Sequence, residues 1–204
     1  DSLRRERFHS ITHRDSLDLV LRGIDAARDA GLAVKINVVL LKGVNDDEIG
    51  DFVRFAATRN THVRFIEFMP FVGNEWRVDE VVPFETAFAA ANREQALIPL
   101  GAQGSDVARE FAISGGSGSI GFVSSVTDSF CGSCSRLRLT VDGRLKTCLF
   151  LPPRASLRDL MRSGASEATL VETIRNDLDT KWREHPPMDR WSHRDNLTMV
   201  QIGG

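Results

Sequence analysis

Residues 32–69 read LAVKINVVLLKGVNDDEIGDFVRFAATRNTHVRFIEFM, and this stretch decides the fold class. Residues 32–41 are β-rich and almost continuously apolar, which is typical of a parallel strand covered on both faces. A helix is predicted over about 46–59, because apolar side chains recur there at helical spacing, and a second strand is predicted over 62–69. Strand, helix and strand of these lengths predict parallel βα units, either doubly wound or part of a barrel.

Polar side chains interrupt both predicted strands. Lys35 and Asn37 share one face of the first strand, whereas Arg64 and Glu67 lie on opposite faces of the second, because side chains alternate along a strand. A charge on a strand covered on both faces is costly unless it is paired or faces a wet cavity. Two interpretations stay open: an internal ion pair, or a barrel lumen or strand mouth that holds an anion.

Further elements are predicted on either side of this stretch. The predicted helices cover residues 15–30, 83–96, 156–163 and 166–184, and the predicted strands cover 110–114, 119–124, 136–141 and 144–150. The last two strands flank Asp142-Gly143, the strongest short signal for a β-hairpin. We therefore expect βα units in residues 1–76 and a second domain in residues 77–204.

Composition limits the classes of function. The net charge of −2 gives no global positive field, so no nucleic-acid partner is expected, and no apolar run is long enough to span a membrane. Three cysteines are an odd and sparse set for a secreted disulfide framework, so the reducing cytoplasm is the expected location. The first residue is Asp1 rather than Met, so we expect the chain to start partway into a longer protein.

The cysteines are the candidate metal ligands. Cys131 and Cys134 form a C-x2-C pair, and Cys148 follows thirteen residues later on the far strand of the predicted hairpin. A structural zinc site needs four ligands, but the sequence has no fourth cysteine and its histidines all lie outside this loop and hairpin. The spacing alone leaves open an iron–sulfur cluster with one open iron, zinc with a remote histidine, or buried structural cysteines.

Two arginines follow the metal loop directly. Arg136 and Arg138 lie two residues apart on the predicted strand, so we expect them to project from the same face. Arginine suits phosphate because its guanidinium donates two parallel hydrogen bonds. The pair favours an open metal position beside an anionic ligand, and the alternative is an ordinary solvated strand face.

Several stretches together carry a family resemblance. They include KINVVLLKGVNDDEI at 35–49, RFIEFMP at 64–70, GFVSSVTDSFCGSCSRLRLTVDG at 121–143, CLF at 148–150 and IGG at 202–204. With these motifs the chain resembles the GTP 3′,8-cyclases of molybdenum cofactor biosynthesis, which are radical S-adenosylmethionine enzymes. The resemblance implies an α/β fold: the C-terminal part of a partial TIM-like (β/α) barrel, followed by an α+β domain with an iron–sulfur cluster.

The resemblance also implies roles for matching positions. The ligands of a [4Fe–4S] cluster, whose open iron binds the guanine of GTP, match Cys131, Cys134 and Cys148. The GTP-binding positions match Lys35, Arg64, Arg136, Leu137 and Arg138. A residue at the S-adenosylmethionine site matches Met69, and a mobile tail needed for activity matches Gly203 and Gly204.

One departure from the family pattern is large. The C-x3-C-x2-C motif that holds the family's second [4Fe–4S] cluster, where S-adenosylmethionine is cleaved, does not occur in this sequence. We therefore expect the C-terminal portion of the enzyme, inactive alone, with GTP and the missing N-terminal part as its partners; whether it forms oligomers is left open. The rival functions are a radical enzyme whose second cluster only transfers electrons, and a non-enzymatic, zinc-stapled binding module.

Overall fold

The computed structural model describes residues 1–101, 107–185, 188 and 197–202. The chain divides into two compact units that alternate along the sequence. The first unit is Asp1–Phe68 with Asp79–Asp128, and the second is Met69–Val78 with Ser129–Gly204. The expected division between residues 76 and 77 concerns the parts of a complete enzyme and stays a prediction.

The first unit has an α/β fold in which helices accompany a five-stranded mixed sheet. Its helices are α1 (Arg5–Thr12), α2 (Leu17–Asp29), α3 (Ile49–Arg59) and α4 (Phe84–Glu94), and its strands are β1 (Lys35–Leu40), β2 (His62–Glu67), β3 (Leu97–Pro99), β4 (Arg109–Ile113) and β5 (Ser119–Val123). The strand order is β1-β2-β5-β4-β3. Strands β1, β2 and β5 are parallel, whereas β4 and β3 run antiparallel to their neighbours. The α/β class predicted from the sequence is confirmed.

The predicted βα unit forms at almost the expected positions. A short 3₁₀ turn, Asp46–Glu48, precedes α3, and β2 ends at Glu67 rather than at residue 69. The early end of β2 fits the approach to Pro70, which has no backbone N–H to donate to a sheet. Helix α1 and strand β3 were not predicted; β3 is only three residues long and ends in Pro99, so it carries almost no periodic signal.

The core lies on one face of this sheet, and the other face is open. Side chains of β1, β2, β4 and β5 pack there with residues of α3 and α4, and the cluster includes Val38, Leu40, Phe52, Val53, Ala56, Val63, Phe65, Ala87, Ala91, Phe111, Ile113, Ile120 and Phe122. On the opposite face, Lys35 and Asn37 are exposed. The expectation of a strand covered on both faces is therefore wrong for β1 in the described residues, because its alternate side chains are polar and meet solvent.

The second unit carries a much shorter hairpin than predicted. Its strands are β6 (Arg138–Leu139) and β7 (Leu145–Lys146), and its helices are α5 (Leu157–Arg162), α6 (Glu167–Asp179) and α7 (Met199–Ile202). Strand β7 ends early because the chain turns back, so that the Leu145 N–H bonds the Ala155 carbonyl at 2.8 Å and the Arg154 N–H bonds the Leu145 carbonyl at 2.8 Å.

Two sequence predictions are corrected by this short hairpin. Cys148 does not lie on the far strand but two residues after it, and Arg136 lies before β6 rather than on it. The Asp142-Gly143 turn itself is confirmed: Gly143 has a φ of 78°, and the Thr140 hydroxyl accepts the Arg144 N–H at 2.9 Å. Every helix in the described part of the chain is too short or too polar to cross a lipid bilayer.

Candidate metal centre and anion-binding face

The open face of the first unit carries two rows of polar side chains. One row pairs Asn37 with Arg64, Arg64 with Gly121 and Gly121 with Glu110 across β1, β2, β5 and β4. Within it, the Arg64 Nε donates to the Asn37 Oδ1 at 3.0 Å. Strand register therefore fixes the guanidinium of Arg64 above the sheet, beside a neutral acceptor.

Gly121 makes room in the middle of this row. A Cβ added at this position would lie 2.8 Å from the Glu110 Oε2 and 3.0 Å from the Arg64 Cγ. The carboxylate and the arginine stem therefore share the space above a residue that has no side chain. This close approach of side chains to the strand could have been predicted from the sequence, because an isolated glycine inside a predicted strand indicates that another group lies close to its backbone.

The second row pairs Lys35 with His62 and His62 with Ser119. The His62 Nδ1 lies 2.7 Å from the Ser119 Oγ, and its Nε2 lies 3.2 Å from the Glu110 Oε2. Burial, together with the charges of Lys35 and Arg64, lowers the pKa of His62 to about 4. His62 is therefore neutral at pH 7, and two of the cations on this face are Lys35 and Arg64.

A cavity of about 510 Å³ opens at the N-terminal ends of the parallel strands, and its walls include Lys35, His62 and Ser119. The predicted GTP residues Lys35 and Arg64 thus lie on one face of one sheet, in adjacent rows. Lys35 borders this cavity, and Arg64 lies beside it in the next row; the two cations suit an anion, because the neighbouring carboxylate of Glu110 is already close to His62.

Glu67 has a different role from the ion pair considered from the sequence. It is 4% exposed and accepts the backbone N–H groups of Val126 at 2.7 Å and Thr127 at 3.0 Å, together with the Thr127 hydroxyl. The carboxylate therefore fixes the segment that follows β5, and in the described part of the chain it bonds two amides and a hydroxyl rather than a lysine or arginine.

The cysteines lie in two segments of the second unit, which are called here the two cysteine arms. One arm is the loop with Cys131 and Cys134, and the other is the segment with Cys148 that follows β7. Cys131 begins the 3₁₀ turn Cys131–Ser133, and the Cys134 N–H bonds the Cys131 carbonyl at 3.1 Å. All three thiols, including that of Cys148, are free and partly buried. Within the described ranges, no three His, Cys, Asp or Glu side chains come close enough together to hold a metal ion.

Cations surround both arms. Arg138 interacts electrostatically with Cys134 and Cys148; burial lowers the pKa of Arg138 and Arg136 lowers it further, whereas the two cysteines raise it. Lys146 has no exposed surface and donates to the Leu151 carbonyl, and burial lowers its pKa to about 8. Thiolates are the ligands of iron–sulfur clusters, so the three cysteines fit such a cluster by donor type, although their side chains are not gathered into one site in the described residues.

The remaining predicted residues are spread over the second unit. Arg136 and Leu137 are exposed, the Arg136 carbonyl accepts the Lys181 ammonium at 3.1 Å, and the Met69 carbonyl accepts the Asn74 amide at 2.7 Å. Gly203 and Gly204 lie outside the described residues. Sequence reasoning missed Lys181, which is 47 positions from Cys134 and carries no local signal of contact with it.

Comparison with known proteins agrees with this chemistry. A family model described as Molybdenum Cofactor Synthesis C matches residues 61–187, more than half of the chain. The chain is 40% identical over 206 residues to "GTP 3′,8-cyclase, mitochondrial" of Arabidopsis thaliana, which covers 100% of this chain and 53% of that protein. It is 40% identical over 189 residues to "Molybdenum cofactor biosynthesis protein 1" of Drosophila melanogaster, covering 91% of this chain and 33% of that protein.

A bacterial relative gives the same result. The "GTP 3′,8-cyclase" of Syntrophomonas wolfei is 38% identical over 208 residues, covering 100% of this chain and 64% of that protein. The chain thus spans less than two thirds of the length of each of these curated relatives. The matched region contains β2, β5, the three cysteines and Arg138, and the chain belongs to the Molybdenum Cofactor Synthesis C family.

Proposed function

We propose that this chain is the substrate-holding part of a GTP 3′,8-cyclase, the enzyme that converts GTP into 3′,8-cyclo-7,8-dihydro-GTP in the first step of molybdenum cofactor biosynthesis. The observation that carries the proposal is the position of Arg138, which lies four residues after Cys134 and pairs across the hairpin with Lys146, two residues before Cys148. A guanidinium at that point would bind an anionic nucleotide directly beside the metal ligands. The names of the relatives support the same reaction.

The roles of the residues follow from their chemistry. Cys131, Cys134 and Cys148 would hold a [4Fe–4S] cluster, which when bound supplies an iron with a free coordination position for the guanine base. Arg136, Leu137 and Arg138 would contact the nucleotide next to it. Positioning of this kind lowers a barrier by holding the reacting groups in one geometry.

The triphosphate requires several cations. The resemblance assigns GTP-binding roles to Lys35 and Arg64 in the first unit and, separately, to Arg136 and Arg138 in the second. Each pair would offset phosphate charge through charge-assisted hydrogen bonds, which are stronger in a partly desolvated site. Arg64 is pre-oriented for this task by its bond to Asn37. Radical formation at a second [4Fe–4S] cluster with S-adenosylmethionine, near Met69, would belong to the complete enzyme.

Other features of the proposal rest on the family. The parallel pair of β1 and β2 supports part of a TIM-like barrel in residues 1–76, and a cluster-binding domain is proposed for residues 77–204. A cytoplasmic location and an active-site role for Gly203 and Gly204 stay predictions. A zinc-stapled binding module is not favoured, because the named relatives are enzymes of cofactor synthesis.

The test replaces Arg138 with alanine in the complete enzyme. Loss of hydrogen bonds to charged phosphates should cost about 1.5–3 kcal/mol, so GTP should bind roughly 10- to 100-fold more weakly in anaerobic calorimetry, with unchanged iron content. Arg162→Ala, at the exposed last turn of α5, is the matched control and should bind GTP normally. A variant with normal GTP affinity and a lowered melting temperature would show that Arg138 is structural and would reject the assignment.

A further inference from the structure

Lys181 lies outside the loop that carries Cys131 and Cys134, and its ammonium contacts that loop. Its Nζ lies 2.7 Å from the Cys134 carbonyl, 3.1 Å from the Arg136 carbonyl and 3.7 Å from the Cys134 Sγ. A lysine ammonium has three donors and no acceptor, and here three acceptors surround it. Two of them are the backbone carbonyls on either side of Ser135, between the C-x2-C pair and the arginine segment.

Helix α6, which ends just before Lys181, also makes hydrogen bonds on the side of the Cys148 arm. Lys181 follows the C-terminus of α6, where Asp177 is 8% exposed. The Asp177 carboxylate accepts the Arg154 Nε at 3.2 Å and the Ala155 N–H at 3.2 Å. Both partners pair through their backbones with Leu145 of β7, the strand that leads to Cys148.

We propose that Lys181 is a positioning residue that holds Cys134 and the Arg136–Arg138 segment in register with the Cys148 arm. The inference rests on the proposed function, since it assigns a role at the same thiolate site. The two arms are separated by the β6–β7 hairpin. The end of α6 bonds the first arm through Lys181 and, through Asp177, bonds the residues that pair with Leu145 of β7. Lys181 therefore sets where the Cys134 sulfur and the nucleotide-binding arginines lie.

The N–H···S contact adds an electronic consequence. Hydrogen bonds to the sulfurs and nearby charge tune the reduction potential of a thiolate-bound cluster, and outer-shell partners of metal ligands are worth about 10- to 100-fold in metal affinity. A cation beside Cys134 favours the reduced, more negative state. Removal of the ammonium should therefore lower the potential and speed the loss of iron.

The experiment compares Lys181→Met with Lys181→Arg in the anaerobically reconstituted protein. Methionine keeps the length of the side chain and removes all three donors, whereas arginine keeps the charge in a different geometry. We expect Lys181→Met to lose iron to a ferrous chelator about tenfold faster than the wild type and to have a lower midpoint potential. Lys181→Arg should lie between the two, and Arg175→Met, an exposed cation change on α6, should match the wild type.

Hydrogen exchange separates this inference from the proposed function. In the metal-free protein, amides of residues 131–138 should exchange faster in Lys181→Met, with the protection of α6 unchanged. Unaltered exchange, or iron loss and potential equal to the wild type, would overturn the positioning role. A wild-type protein that binds no iron would instead refute the cluster and the proposed function, and the exchange data would still decide the role of Lys181. If Lys181→Met does not fold, unchanged potential and exchange in Lys181→Arg would overturn the inference.

Discussion

His62 is a mostly buried imidazole on the open sheet face, with a side chain that is 15% exposed and a pKa lowered to about 4 from the ordinary 6.5. Between these values the unfolded chain binds more protons than the folded one, so the free energy of unfolding rises with pH. The contribution is complete above about pH 6.5 and is lost as pH falls towards 4. It amounts to at most about 3 kcal/mol, since one pKa unit is worth about 1.4 kcal/mol.

Replacement of His62 by glutamine should remove this dependence, because glutamine can still bond Ser119 but does not titrate. Urea unfolding at pH 7.5 and pH 5 measures it: the wild type should lose about 2 kcal/mol more than the variant between the two values. His9→Gln, at an exposed position of α1, is the control and should behave as the wild type. Equal losses in wild type and His62→Gln would mean that His62 is not the titrating group.

Some positions of single residues could be predicted from the sequence, whereas their long-range contacts could not. Alternation correctly placed Lys35 and Asn37 on one face and separated Arg64 from Glu67, because the period of a strand is local. The partners of Glu67 were not predictable, since they lie about 60 positions away in a loop. Lys181 was missed for the same physical reason: long-range contacts of a flexible side chain leave no periodic trace.

At the scale of elements, the backbone just before β5 packs closely against the end of α3. A Cβ added to Gly118 would lie 2.2 Å from the Ala56 carbonyl oxygen and 2.6 Å from the Thr61 carbonyl oxygen. Both atoms belong to the backbone and cannot rotate away. Gly118→Ala should therefore destabilise the protein by about 3 kcal/mol or more, the upper range for overpacking.

Gly23 offers the matched control within α2. A Cβ there meets no atom within 4 Å, so Gly23→Ala should stabilise the helix by about 0.5–1 kcal/mol. Urea midpoints of the two variants should therefore move in opposite directions from the wild type. A Gly118→Ala protein as stable as the wild type would show that β5 and α3 can separate without cost.

Elements with strong local signals were predicted well, and the others were not. The helix at α3 and the strands β1 and β2 follow from periodicity. The start of α6 has a local signal as well, because Ser166 is its N-cap and the Ser166 Oγ accepts the Thr169 N–H at 3.2 Å. The hairpin was predicted too long. Its far strand is short because residues 154–155 also pair with Leu145, and this competition is not visible in the hairpin sequence itself.

At the scale of the whole chain, β1 is the edge of the five-stranded sheet and its polar face is open in the described residues. Edge strands invite pairing with other chains unless they are blocked. Part of this edge is blocked locally: the Val39 N–H donates to the Asp1 Oδ1 at 2.7 Å, and the Val39 carbonyl accepts the Asn45 Nδ2 at 2.9 Å. We still expect the chain alone to be weakly stable, because the rest of this strand edge lacks such protection in the part of the chain that the structure describes.

Asn45 is the centre of this edge protection, and its replacement tests how far the whole chain depends on it. The side chain has no exposed surface; its Oδ1 accepts the Leu41 N–H at 2.8 Å, and its Nδ2 also donates to the Asp1 carbonyl at 2.7 Å. Asn45→Ala would leave three backbone groups without these partners, at about 1–3 kcal/mol for each group that stays buried. Because the edge can partly rehydrate, we expect a total loss of about 3 kcal/mol and faster aggregation on warming. Urea unfolding measures the first effect and light scattering the second.

The control is Asn176→Ala, at an exposed position of α6, which should change neither measurement. An Asn45→Ala protein that stays monodisperse and within 1 kcal/mol of wild type would show that the edge of β1 needs no protection.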